Sequence, residues 1–133
     1  MEKGPILLSK AKNPPEDLRT RTKRFALATI RLCESLPKGR TADILARQLI
    51  RSACSVGANY RAADCARSKA DFVSKLGIVH EECDESVYWF ELLVESGILA
   101  KDKGEAAIHE ATEIVAIIVS SIKTAKDSPT WRG

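Results

Sequence analysis

The sequence predicts an all-α protein, an antiparallel up-down-up-down four-helix bundle. Three observations carry that prediction. Apolar residues recur at steps of three and four in four successive stretches of about 20–30 residues, the period of a helix with one face on a core. No segment shows the period-two alternation of a strand. Turn and capping signals separate the four stretches. At 133 residues, the chain has the length of one domain with a single core. Residues 1–13 are expected to form an irregular arm, 14–126 the bundle and 127–133 a C-terminal tail.

Asn13-Pro14-Pro15-Glu16-Asp17 opens the first helix, with a capping amide, prolines where the missing N–H costs nothing, and acids in the first turn. Its core face holds Leu18, Phe25, Thr29, Leu32 and Leu36, and Leu36-Pro37-Lys38-Gly39-Arg40 ends it. Thr41 is the expected cap of the second helix, near 42–66, whose stripe is Leu45, Leu49, Val56, Tyr60 and Ala63. Ser52, Ala53, Ser55, Gly57 and Ala58 are small enough to let a neighbour approach closely. Ser68-Lys69-Ala70-Asp71 reads as a capping box for the third helix. Phe72, Leu76, Val79, Cys83, Val87, Phe90 and Val94 then give the strongest helical pattern of the chain. Gly97 is a C-cap, Lys101-Asp102-Lys103-Gly104 the last turn, and the fourth helix runs from about 105 to 126.

Charged residues make up 29% and apolar ones 44%, which excludes disorder by composition. The longest apolar run, Ile114–Val119, falls far short of the ~20 residues that span a bilayer, so no membrane role is expected. The N-terminal Pro5-Ile6-Leu7-Leu8 is too short for a secretory h-region. Cys33, Cys54, Cys65 and Cys83 form no Cys-x-x-Cys pair and are expected as reduced thiols of a cytoplasmic protein, two or three of them packed as small hydrophobes. The net charge of +3 hides an asymmetry: residues 1–40 are strongly basic and 76–113 strongly acidic. That division suits polyanion binding and internal pairing equally well.

Two stretches are apolar on more than one side, Ile114-Val115-Ala116-Ile117-Ile118-Val119 and Val87-Tyr88-Trp89-Phe90. A helix of that kind is buried on more than one side. The expected second burial is another subunit, with Trp89, Leu92, Ile114, Ile117 and Ile118 at a homo-oligomer interface.

Chemistry-bearing constellations are few. His80 and Asp84, one turn apart, are the nearest approach to a metal pair, but di-iron bundles need Glu-x-x-His motifs on two helices and none is present. No metal and no cofactor is expected. Cys83 sits in the apolar stripe, where a thiolate is disfavoured, and Cys65, between Arg61 and Arg67, has no histidine nearby in sequence. No phosphate loop or nucleophile elbow occurs, so catalysis is not expected. Asn59, beside the core stripe, is expected as a half-buried amide that satisfies nearby polar groups.

The cations supply the binding hypothesis. Arg47, Arg51 and Arg61 share one stripe of the second helix opposite its core, with Cys54, Ala58 and Cys65 between them. Glu81, Glu85, Tyr88 and Leu92 lie opposite the core of the third. The two stripes either meet as ion pairs across a subunit boundary, or the arginines face a phosphate backbone. The first helix adds Arg19, Arg21, Lys23, Arg24 and Arg31, with Arg24 and Arg31 on its outer side.

Gln48–Ala53, Ser55–Ala63, Ser68–Leu76 and Glu81–Leu93, in that order, resemble the four-helix-bundle family of proteins encoded in 23S rRNA intervening sequences. The likeness extends over about residues 20–122 and is nearest to the branch holding the accessory variability determinant of diversity-generating retroelements. The resemblance implies a barrel-like homopentamer, a basic surface for RNA or DNA, a reverse transcriptase as protein partner, and no catalytic residue. It also implies Arg51, Asn59, Glu82 and Tyr88 as internal polar links. The alternative from the charges alone is a scaffold protein whose ions are consumed in internal and inter-subunit pairs.

Overall fold

A computed structural model describes residues 16–130. Four helices follow one another: α1 (Leu18–Glu34), α2 (Arg40–Asp64), α3 (Lys69–Glu95) and α4 (Lys101–Asp127). The connections are short, and each helix packs on its sequence neighbours, α2 on α3 most extensively. α1 and α4 close the ring but meet at only a few residues. This is the up-down-up-down bundle, and among the described residues there is no strand.

The elements form for local reasons that match the sequence in part. Ser68 caps α3 by accepting from Asp71 N at 3.0 Å. Gly97 takes φ +81° after α3, and the N–H groups of Ile98 and Leu99 both donate to Leu93 O at 3.0 Å. That left-handed turn suits a residue without Cβ. Two expected caps are replaced. Asp17 caps α1 by accepting from Thr20 N at 2.8 Å, whereas Asn13 lies outside the described residues. Thr41 sits inside α2, which starts after Gly39 with no side-chain cap.

Lys101–Gly104 is also not a turn. It is the first turn of α4, and Gly104 is buried there, where a methyl would run into Val94 Cγ2. Glycine is present for the α3–α4 approach, not to end a helix.

The core is aliphatic with two aromatic rings. Leu49, Val56, Leu76, Val79, Phe90, Leu93, Ile114 and Ile118 are fully buried, each contributing about 1.5–3 kcal/mol from area removed from water. Phe25 of α1 meets Phe90 of α3 edge to face across the centre, with ring centroids 6.4 Å apart. Thr22 and Thr29 lie on the core face of α1 because each hydroxyl donates back along its own helix, to Leu18 O at 2.6 Å and Phe25 O at 2.9 Å. Ser52 and Ser86 share a buried hydrogen bond of 2.9 Å between α2 and α3. Paired in this way, the hydroxyls avoid the cost of an unsatisfied buried group.

Ile114 and Ile118 were expected at an interface between subunits, and the structure corrects this. Both are enclosed by the chain's own core, leaving no surface for a second copy. An all-round apolar helix has two faces, and the sequence does not say which one meets α1–α3. The outward residues are Ile117 and Val119, 37% and 46% exposed.

Candidate functional site

The cations divide into paired and unpaired sets. Arg21 is the most enclosed of the eight expected nucleic-acid contacts. From α1 it reaches α4, where Nε and Nη2 each donate to Glu110 at 2.8 Å and Nη2 donates to Glu113 at 2.7 Å. The Glu110 fork raises the guanidinium pKa further above its ordinary value, and the hydrogen bond from Arg21 holds the Glu113 carboxyl below the usual carboxylate range. Arg24 pairs with Glu16, Nε to Oε2 at 3.2 Å. Arg19 reaches Asp64 of α2 at 3.5 Å. Arg47 pairs with Asp43 on its own helix at 3.0 Å.

Arg51 lies against Glu85, and its Nη1 is 3.6 Å from Glu82 Oε1. Glu85 also accepts from the Trp89 indole N–H at 3.1 Å; that bond, followed by the one from Arg51, depresses its pKa. The expected meeting of the α2 arginine stripe with the acids of α3 therefore occurs at Arg51, but inside one chain. The heptad-like spacing of α2 and α3 allowed this pairing as well as one across subunits.

Three of the eight remain. Lys23 and Arg31 on α1 and Arg61 on α2 are exposed, and none has an acidic partner among the described residues. α1 and α2 run antiparallel, with Gly57 against Thr22 and Arg19 against Asp64. Helical register sets Lys23 and Arg61 on the outward side of that same stretch of seam. Arg31 stands two turns further along α1.

The other expectations resolve residue by residue. Asn59 is half-buried and donates to Ser55 O at 2.9 Å and Ser55 Oγ at 3.1 Å. Tyr88 is not an internal link: it is 52% exposed, its ring set edge to face against Trp89 at 5.0 Å. Trp89 and Leu92 are half-buried. Cys83 is buried and its thiol pushed up to about 12, chiefly by loss of solvent; burial takes Cys33 to about 11. Cys54 and Cys65 are exposed. His80 Nε2 lies 3.3 Å from Asp84 and His109 Nε2 3.0 Å from Glu113. Among the described residues no three metal-ligating side chains converge, and no helix is long and apolar enough to cross a membrane. A feature the sequence reading missed is the groove between α1 and α4; its signal was the alanine set Ala28, Ala106 and Ala107, too small to fill the gap.

Fold and site together define a four-helix bundle whose surface is organised by charge. Residues 17–120 match the model of the 23S rRNA-intervening sequence protein family, and the chain belongs to that family. It is similar to a crystal structure from Bacteroides thetaiotaomicron, described as a protein of unknown function from the S23 ribosomal protein family. Identity is 33% and the TM-score 0.74, with 79% of this chain and 97% of that one covered. No protein of curated function matches it.

Proposed function

We propose that this chain is a non-catalytic, homo-oligomeric accessory protein of the cytoplasm that binds nucleic acid by its phosphates. The observation that carries the reading is that Lys23, Arg61 and Arg31 are exposed with no acidic partner among the described residues, the first two on the outward side of one stretch of the α1–α2 seam by helical register. The family's description, which ties it to sequences intervening in 23S rRNA, supports RNA as the first polyanion to try. The exposed apolar residues Ile44, Tyr88, Ile117 and Val119 support self-association. The resemblance to the retroelement branch suggests five copies and a reverse transcriptase as protein partner.

Mixed-sequence RNA binding is to be measured by filter retention at two salt concentrations. Affinity should fall with salt, since each neutralised phosphate releases counterions. Lys23→Ala with Arg61→Ala should flatten the log–log slope by about two units with the fold unchanged. Sequence preference should be weak, because contacts to phosphates position a nucleic acid without reading its bases.

A second reading has its own observation. Five of the eight candidate cations, Arg19, Arg21, Arg24, Arg47 and Arg51, already hold carboxylates. A scaffold protein with its charges consumed internally predicts little binding near physiological salt and no effect of the Lys23/Arg61 pair.

A further inference from the structure

α1 and α4 are neighbours in the ring yet scarcely touch, and between them runs a groove of about 510 Å³. Its floor is formed by Phe25, Leu32 and Ala107, with Ala28 and Ala106 on the sides. Arg24, Arg31 and Lys103 stand along its edges, and Glu110 is the one acid among the described residues that line it. That acid is already held by the Arg21 fork. Arg31 and Lys103 have no acidic partner among the described residues, while Arg24 is engaged by Glu16. The groove thus combines an apolar floor with uncompensated positive charge at its rim.

We propose that this groove docks an acidic amphipathic helix from a partner protein, seating aliphatic side chains on the Leu32–Ala107 floor and carboxylates on Arg31 and Lys103. The lining stretch of α1, from Arg24 to Ser35, is about 16 Å long at 1.5 Å per residue, which is three helical turns. A helix laid there would complete the open side of the ring, with anchors at i, i+3 or i+4, and i+7.

Other occupants fit less well. Phe25 is 4% exposed and Phe90 fully buried, so neither offers a ring face for a nucleic-acid base. Residues 1–15 carry Lys3, Lys10 and Lys12 against Glu2, the wrong sign for the rim. In a second copy the outward side of α3 shows Glu81, Asp84, Tyr88, Glu91 and Glu95, acids without the aliphatic stripe that the floor requires. The inference goes beyond the nucleic-acid reading; it shares Arg31 with that reading but uses neither Lys23 nor Arg61.

The test is fluorescence anisotropy on the full chain. The probe is a labelled peptide of about fourteen residues, with Leu on one helical stripe and Glu elsewhere. Its controls are the same composition scrambled and the Lys-for-Glu counterpart. The acidic amphipathic peptide should bind at least about tenfold more tightly than either control, a difference of 1.4 kcal/mol or more. Arg31→Glu with Lys103→Glu should remove that preference, and Ala28→Glu should block the floor; all three sites are exposed, so the melting curve should stay cooperative. Lys23→Ala with Arg61→Ala should leave peptide binding unchanged. Equal binding of the scrambled peptide, or binding that survives the charge reversal, overturns the proposal. Displacement of the peptide by RNA would assign the groove to nucleic acid, and a drop in particle mass for Ala28→Glu would assign it to self-association; either also overturns it.

Discussion

Replacing Arg21 by alanine tests how α1 is fastened to α4. The side chain is 19% exposed and spans the seam to Glu110 and Glu113, where little else joins the two helices. Hydrogen bonds to charged groups contribute about 1.5–3 kcal/mol each when enclosed. Here Glu113 is 49% exposed, so solvent screening reduces its share to that of a surface pair. A total loss of about 1–2 kcal/mol at pH 7 follows, read as a lower urea midpoint with an unchanged m-value. The pH dependence adds a second check. Glu113 titrates below its unfolded value in the native chain, so its contribution is complete above that unfolded value and disappears as pH falls through the native one. Wild type and Arg21→Ala should therefore converge in stability toward acid. An equal gap at pH 7 and pH 3, or no gap at all, would refute the assignment of Arg21 as the α1–α4 link.

Gly104→Ala should gain about 1 kcal/mol of helix propensity but lose about 1–3 kcal/mol to the contact with Val94; adding Val94→Ala should turn the substitution from neutral or destabilising to stabilising in urea melts. Ser52→Ala or Ser86→Ala alone should cost about 1–3 kcal/mol and the pair together less than their sum, measured by thermal unfolding. In the folded chain Ellman's reagent should label Cys54 and Cys65 rapidly and Cys33 and Cys83 only after denaturation, because burial disfavours their thiolates. Light scattering should give a mass several times 14.6 kDa, and Ile117→Glu, whose site is outward in the single chain, should reduce it without unfolding the bundle.

Much of the fold was legible because α3 repeats its apolar residues at helical spacing through about six turns and carries both end signals, Ser68 and Gly97. The ends of α1, α2 and α4 were less so. Asp17, Thr41 and Gly104 are each plausible caps or turns by residue type, and only the packing of α4 on α3 shows that Gly104 answers to Val94. The candidate site was half legible. Helical register places Arg47, Arg51 and Arg61 on one outward stripe, and they are exposed there. Their partners depend on which helix lies alongside, a matter of tertiary neighbours that spacing within one helix does not encode. Ile114 and Ile118 illustrate the same limit, since a helix apolar on two sides looks alike from either.

The sparse α1–α4 edge makes the stability of the bundle uneven. α3 is packed along its length between α2 and α4, whereas α1 is seated mainly on α2 and attached across the open edge by Arg21. Such an element opens at a lower free energy than the rest of the molecule. Amides of α1 should exchange with deuterium in openings that leave the other three helices protected. The Ser35–Gly39 connection then becomes a hinge, and when several copies are held close together, an α1 that swings out finds an identical seat on its neighbour. Exchange of this helix between protomers is the low-cost rearrangement the architecture permits.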